Sequence, residues 1–249
     1  MIAVLLSAGK GERMYPLTKD RPKCLLDIGD GGTILNSQLN TLIATGFKKI
    51  LIVAGYKIEQ VQKAVSEYSS PKGVEIIVLQ NPFYRTSNNI VSLWLVSQNY
   101  EGPLISINGD NVFKNSIIEK LLGTPGDIVM TINRKNEYDF DDMLIETRGN
   151  EVIQVGKTIN RDDANGESVG IIKYSKEGFK TVATFLENLM MSEENHQSFY
   201  LKALHEMMQR GFKFNYCLVS ENDWYEVDFH PDVELLRTVI GRSRQDFNA

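Results

Sequence analysis

The chain is poor in the residues that most often announce a cofactor or a covalent mechanism: two cysteines and three histidines in 249 residues. Cys24 and Cys217 stand far apart with no CxxC and no mixed His/Cys spacing, which excludes a disulfide framework and a zinc centre. Both are expected reduced and at least partly buried. His196, His205 and His230 show no triad or metal spacing and read as structural or surface residues. No apolar run approaches the roughly 20 residues of a membrane span. Residues 1–6 begin apolar, but a basic leader is missing and Gly9 and Lys10 follow at once, unlike a signal peptide. Excess positive charge is lacking as well: 27 Lys and Arg against 32 Asp and Glu give a formal net charge of -5, which argues against a nucleic-acid surface. A cytoplasmic protein without nucleic-acid or membrane partners is expected. Internal repeats and low-complexity linkers are absent too.

Against that acidic balance, "SAGKGERMYPLTKDRPKCLL" (residues 7–26) gathers Gly9, Gly11, Lys10, Arg13, Lys19, Arg21 and Lys23 directly after the apolar run 2–6. A cationic, glycine-bearing loop in an acidic chain points to a small anionic ligand. Short aliphatic runs then alternate with helical patterns: "ILNSQLNTLIAT", "KKILIVAGY", "IEQVQKAVSEY", "VEIIVLQN", a helix near 88–98, "PLISINGD", a helix near 116–122 and "DIVMTIN". Nearly continuous short apolar runs are the mark of strands covered on both faces. The expected fold is α/β, doubly wound, with a mostly parallel, Rossmann-like mixed sheet. After Asn133 the rhythm changes, and "DMLIETRGNEVIQVGKTI" reads as a β-hairpin turning at residues 148–150. A strand "SVGIIKY", helices near 178–191 and 199–210, a strand "KFNYCLV", and a helix from about Pro231 leading to a polar tail complete the pattern. One domain over 1–249 absorbs this length, with the hairpin-containing segment at about 134–175 as a small substrate-binding subregion.

Ligands of open α/β sheets gather beyond the carboxyl ends of the strands, where the opening loop lies. Gly9 and Gly11 would let backbone N–H groups approach phosphate oxygens, a nearby helix N-terminus would add a favourable dipole, and Arg13 and Lys23 would supply formal charge. The loop fits neither the dinucleotide fingerprint, since position 14 is Met14, nor the P-loop, and a plain strand-to-helix connection is the competing reading. In "INGDN", Asp110 ends the apolar run 104–107, a place suited to a hard cation such as Mg²⁺ or to an Asp-Asn turn. In "DWYEVDF", alternation puts Glu226 and Asp228 on one strand face beside Trp224 and Tyr225, either as a second metal carboxylate at Asp228 or as a solvated face.

Ala8-Gly9-Lys10-Gly11-Glu12-Arg13-Met14, with Pro16-Leu17-Thr18 and Arg21-Pro22-Lys23, resembles the signature loop of the nucleotidyltransferase superfamily that makes nucleoside-diphosphate sugars and related activated alcohols. "INGDN" resembles that family's metal-binding Asp motif. Together with "NPFYRTSNNIVSLW", "VGKTI" and "WYEVD", the chain is closest to the phosphocholine cytidylyltransferase branch, whose relatives use aminoethylphosphonate or phosphorylated amino acids.

The resemblance implies attack by an acceptor phosphate or phosphonate oxygen on the α-phosphorus of a nucleoside triphosphate, with pyrophosphate leaving. Such chemistry asks for positioning and charge neutralisation more than proton transfer. It implies that Leu6, Ala8, Gly9 and Gly11 cradle the nucleotide, Arg13 neutralises pyrophosphate, Lys23 bridges the α-phosphate and the attacking group, and Asp110 and Asp228 hold Mg²⁺. Ser87 and Asn88 would read the pyrimidine of CTP, and both are also natural helix caps. For the acceptor, Tyr138, Asp141 and Trp224 would suit an ammonium head, the competing reading being an acidic, solvated loop beside one packed tyrosine; Lys157 would suit an acceptor phosphate or be an exposed strand lysine. Tyr138 stands where the choline enzymes carry a larger ring. The expected activity is Mg²⁺-dependent cytidylyl transfer to phosphocholine-like, phosphoethanolamine or aminoethylphosphonate acceptors, by a monomer or homodimer. A sugar-1-phosphate nucleotidylyltransferase and a non-catalytic nucleotide-binding regulator are the alternatives.

Overall fold

The computed structural model describes residues 1–29 and 32–242; the polar tail expected after the last helix lies outside the described residues. In chain order the elements are β1 (Ile2–Ser7), β2 (Asp27–Gly29), β3 (Gly32–Thr33), α1 (Ile34–Ala44), β4 (Lys49–Ala54), α2 (Ile58–Glu67), β5 (Glu75–Gln80), α3 (Asn89–Asn99), β6 (Leu104–Asn108) and β7 (Asn111–Phe113). There follow α4 (Asn115–Gly123), β8 (Ile128–Asn133), β9 (Leu144–Arg148), β10 (Glu151–Gly156), β11 (Gly166–Tyr174), α5 (Lys176–Met190), α6 (Leu201–Gln209), β12 (Asn215–Val219), β13 (Trp224–Glu226) and α7 (His230–Arg242). The class is mixed α/β, as the alternating pattern predicts. The chain forms two compact units: a loop unit of Ile2–Arg85, Ile107–Glu119 and the described part of Asn222–Ala249, and a hairpin unit of Met1, Thr86–Ser106 and Lys120–Glu221.

In the loop unit, β1 and β5 flank β4 in parallel, with registers Ala3↔Ile50 to Ser7↔Ala54 and Lys49↔Glu75 to Ala54↔Gln80. Ile2 through Leu6 and Ile50 through Ala54 are buried without a break, which is why these strands are apolar throughout instead of alternating. Helix α1 starts where the Thr33 side chain accepts the Asn36 N–H at 3.1 Å, an N-cap of the usual kind. Two ribbons went unanticipated: β2 with β3, and β7 antiparallel to β13 in the register Asn111↔Glu226, Val112↔Tyr225, Phe113↔Trp224. Of their strands only β13, within "DWYEVDF", is expected from the sequence; the others are two or three residues long, too short for a period to show. A buried cluster of Met14, Leu26, Ile28, Ile34, Val112, Val227, Val233 and Leu236 joins the opening loop, α1, β7 and α7.

In the hairpin unit, β8 runs antiparallel to β11 and parallel to β12. The hairpin β9–β10 turns through Gly149 at φ 59°, a conformation that glycine adopts without steric cost. Strand β9 also pairs with β11. Phe179 of α5 packs edge-on against Tyr174 of β11, with ring centroids 5.7 Å apart. Among the described residues, no helix is long and apolar enough to cross a membrane.

Candidate active site

Both expected cations and both expected carboxylates meet in the loop unit. Lys23 lies in a one-turn 3-10 helix, Lys23–Leu25, and its Nζ donates to Asp110 Oδ2 at 2.9 Å and to Asp228 Oδ1 at 2.6 Å. The other Asp228 oxygen, Oδ2, is 2.8 Å from Arg13 Nη2. Arg13 also lies over the Phe229 ring, 5.4 Å from its centroid. Burial opposes the charge on Lys23, but Asp110 and Asp228 outweigh it and raise its pKa above the ordinary lysine value, so the ammonium stays charged at neutral pH.

Each carboxylate is placed by the end of a strand. Asp110 occupies the turn between β6 and β7. Gly109 beside it is required, because a Cβ there would fall 2.2 Å from Ser7 Oγ and 2.7 Å from Leu6 O. Asp228 does not share a strand face with Glu226 as the alternation suggests: β13 ends at Glu226, and Asp228 lies two residues on, its backbone N–H donating to Asp232 Oδ2 at 2.7 Å. The three-residue strand is too short to carry the alternation further. Glu226 was not expected as a metal ligand, although its place two positions before Asp228 was the available signal. Oxygens of Asp110, Glu226 and Asp228 all lie within 4.8 Å of one another.

Crowding by protein atoms, and after it the charges of Asp110 and Asp228, push the Glu226 pKa well above the usual carboxylate range, while Lys23 and Arg13 pull it back in part. Glu226 keeps an exposed edge, so withdrawal from water is incomplete and the repulsion of two neighbouring aspartates is the firmer half of that cause. Asp110 Oδ1 is shielded from solvent and has no hydrogen-bond partner. Three oxygen donors at close quarters, one of them unsatisfied, fit a hard divalent cation.

The opening loop departs from expectation in one respect. After Gly11, at φ 63°, the chain enters only the 3-10 turn Glu12–Met14, and the next α-helix along the chain waits until Ile34, so the loop does not run into a helix of its own; the α-helix N-terminus beside it is that of α7, which begins at His230. The loop closes on itself, with Met14 N–H donating to Gly11 O at 2.9 Å and Thr18 Oγ1 to the same oxygen at 2.6 Å. Leu6 O accepts from Gly109 N–H and Ala8 O from Tyr56 N–H, both at 3.0 Å. Gly9 is exposed, and a Cβ would meet nothing within 4 Å; neither packing nor a positive φ demands glycine there. His230 Nε2 lies 3.1 Å from Met14 O and 2.9 Å from Tyr15 O, fastening the loop to the start of α7 in the structural role expected of it.

The remaining expected residues fall as follows. Trp224, in the loop unit, stands opposite Phe113, and its indole N–H is shielded and without a partner. Ser87, Asn88, Tyr138, Asp141 and Lys157 belong to the hairpin unit. Asn88 is the N-cap of α3, its Oδ1 accepting the Asn89 N–H at 2.7 Å. Tyr138 is half-buried and its carbonyl accepts from Arg161 at 3.2 Å. Lys157 is exposed in the turn after β10, not on a strand, with Nζ 5.7 Å from the centroid of Phe199.

A strand-end loop with two cations and three carboxylates defines a centre for handling anionic phosphates. The family model described as Nucleotidyl transferase matches residues 2–228, and the chain belongs to that family of enzymes. The CTP:phosphoglutamine cytidylyltransferase of Campylobacter jejuni is 22% identical over 257 residues, spanning 94% of this chain and 98% of that protein. A UTP–glucose-1-phosphate uridylyltransferase of Haloferax volcanii is 30% identical over 179 residues, 71% of this chain and 66% of its own length. The solved structure of the CTP:phosphocholine cytidylyltransferase from Streptococcus pneumoniae matches with a TM-score of 0.76 at 20% identity, covering 96% of this chain and 99% of that one. That likeness establishes a shared Rossmann-like fold.

Proposed function

We propose that this nucleotidyltransferase is a Mg²⁺-dependent cytidylyltransferase that moves CMP from CTP to a small phosphorylated or phosphonylated amino alcohol. An acceptor oxygen forms the new bond to the α-phosphorus, the bond from that phosphorus to the bridging oxygen breaks, and pyrophosphate leaves with the electron pair. The observation that carries the reading is the Lys23 ammonium held between Asp110 and Asp228.

In this reading Asp110, Glu226 and Asp228 hold Mg²⁺, which when bound offsets the negative charge of the triphosphate against the incoming anion. Lys23 faces the charge that grows on the transferring phosphoryl group, where a preorganised cation stabilises the transition state more than the ground state. Arg13 neutralises departing pyrophosphate. The backbone of Leu6, Ala8, Gly9 and Gly11 lines the nucleotide, and the dispensable side-chain space at Gly9 supports a close approach there. Ser87 and Asn88 contact the pyrimidine. Tyr138, Asp141 and Trp224 receive the cationic head, and Lys157 the acceptor phosphate. A phosphate monoester is already largely ionised at neutral pH, its second pKa being near ~6, so no histidine base is required.

Cytidylyltransferase relatives matched over most of their length support CTP. The Haloferax volcanii relative, more identical over a shorter span, favours a second reading, a sugar-1-phosphate nucleotidylyltransferase. Pyrophosphate release across four nucleoside triphosphates and a panel of phosphocholine, phosphoethanolamine, aminoethylphosphonate and hexose 1-phosphates separates the two. Turnover with CTP and an amino-alcohol acceptor is expected; turnover with a hexose phosphate alone would establish the second reading. CTP binding without release for any acceptor would mean a regulator.

A further inference from the structure

Gln38 sits in the middle of α1, 1% exposed, among the buried side chains of Ile34, Leu35, Leu39 and Leu42. Packing alone favours an apolar residue at such a position, since a buried amide must find partners or forfeit its hydration. Gln38 finds them for one half only. Its Nε2 donates to Asn108 O at 3.0 Å and to Asn111 O at 2.8 Å, whereas its Oε1 is shielded and has no partner. The position therefore uses the donor half, at the cost of an unsatisfied oxygen.

The two acceptors are the carbonyls that bracket Gly109 and Asp110. One helical turn on, Thr41 Oγ1 donates to Phe113 O at 3.2 Å. Gln38 and Thr41 are three positions apart on one helix face, about 4.5 Å along the axis. Asn111 O and Phe113 O are two positions apart on one strand edge, about 6.6 Å, and the longer glutamine arm takes up the difference. Helix α1 thus serves β7 as a neighbouring strand would, while the opposite edge of β7 pairs with β13. The turn carrying Asp110 is also fastened by Gly109 N–H to Leu6 O at 3.0 Å and Val227 N–H to Asp110 O at 3.1 Å, and its carboxylate by the Lys23 ammonium at 2.9 Å.

We infer that Gln38 is a positioning residue for Asp110: by holding the carbonyls on both sides of the turn, its side-chain amide fixes the carboxylate that faces Glu226 and Asp228, and so sets divalent-cation affinity. The inference rests on the reading of those three carboxylates as the metal-holding set. Groups hydrogen-bonded directly to a metal ligand typically change its affinity 10- to 100-fold when lost; Gln38 acts through the carbonyls beside the ligand, so the lower end of that range is expected.

The test is Mn²⁺ binding to the whole purified protein, read from loss of the free-ion paramagnetic resonance signal, beside thermal melting without metal. Gln38→Met, which keeps the volume and removes the donors, should weaken Mn²⁺ binding about tenfold. It should also raise the Mg²⁺ concentration for half-maximal pyrophosphate release, with kcat largely recovered at saturating Mg²⁺. Thr41→Val removes a comparable buried bond three residues beyond Asp110 and should lower the melting temperature without shifting the Mn²⁺ dissociation constant more than about twofold. Should Gln38→Met not fold, Gln38→Asn, which retracts the same amide by one carbon, should still weaken binding several-fold. Wild-type affinity in either folded Gln38 variant, or equal losses in Gln38→Met and Thr41→Val, would overturn the inference. Failure of the wild-type protein to bind Mn²⁺ would instead overturn the metal reading, and this inference with it.

Discussion

Lys23 in the loop unit and Lys135 in the hairpin unit each draw carboxylates around one ammonium group, and the two clusters end in different chemical states. Lys135 Nζ is 3.1 Å from Asp139 Oδ2, 2.7 Å from Asp142 Oδ2 and 3.0 Å from Glu167 Oε2. The second Glu167 oxygen takes the Asn133 side-chain N–H at 2.8 Å, and Asp142 Oδ2 also accepts the Asp139 backbone N–H at 2.6 Å. Around Lys23, Asp110 Oδ1 is unsatisfied and Glu226 is pressed against two like charges. Carboxylate count does not separate the clusters, because each has three: Asp110, Glu226 and Asp228 in one, and Asp139, Asp142 and Glu167 in the other. Satisfaction does: the Lys135 cluster clasps its own loop, and the Lys23 cluster retains bonding capacity for a ligand.

Breaking each lysine should therefore break different things. Lys23→Met should lower the rate of pyrophosphate release by roughly 10²- to 10³-fold, the size expected for loss of one preorganised transition-state donor; steady-state kinetics at saturating CTP and Mg²⁺ measures it, and unchanged turnover would remove Lys23 from the mechanism. Lys135→Met should act mainly on folding, costing roughly 2–3 kcal/mol by leaving Glu167 buried without its cation, read from chemical denaturation. If instead turnover collapsed with stability intact, the two clusters would not differ in kind.

The pH dependence separates carboxylate from lysine within each cluster, since the pKa of Glu167 is raised like that of Glu226 and that of Lys23 like that of Lys135. A raised carboxylate pKa means that the folded state holds the proton more tightly than the unfolded chain does. The Glu226 penalty is therefore absent below the ordinary glutamate range, grows as pH climbs from there toward the raised value, and is complete above it. Glu226→Gln should stabilise the metal-free protein at neutral pH and flatten its stability curve across that window. Lys135 behaves oppositely. Burial opposes its charge, but bonds from Asp142 and Glu167 prevail and raise its pKa, so its contribution is intact below the ordinary lysine range and is lost only as pH rises through the raised value. Thermal melting against pH in the presence of a chelator checks both signs.

The smallest expected effect is at Asn88. Asn88→Ala should cost about 0.5–1 kcal/mol as a lost cap, with any rise in the KM for CTP reporting contact with the nucleotide beyond capping.

The elements that sequence made legible are those whose pattern is local. The unbroken apolar runs of β1 and β4 announce strands buried on both faces, and the Arg148-Gly149-Asn150 break announces the hairpin. Strand β13 is legible in "DWYEVDF", but β7 and the pairing of the two were illegible, because a three-residue strand carries no period and the partners lie more than 110 positions apart. At the site, Lys23, Asp110 and Asp228 are separated by 87 and 205 positions, and no spacing rule unites them; family resemblance did. Glu226 was visible beside Asp228 yet read as part of an alternating strand face. Gln38 gave no signal at all, since one polar residue in an amphipathic helix is ordinary and its acceptors lie 70 and 73 positions on.

The most direct test of the central claim, that the carboxylates around Lys23 form the metal-dependent transfer centre, is a Mg²⁺ titration of pyrophosphate release from CTP and the best acceptor by wild type, Asp110→Asn and Asp228→Asn side by side. The account predicts saturable Mg²⁺ dependence for wild type and at least about a hundredfold loss in both variants, measured at a temperature where both remain folded, since each substitution also removes a partner of the Lys23 ammonium. Wild-type turnover in either variant, or turnover indifferent to chelation, would contradict it.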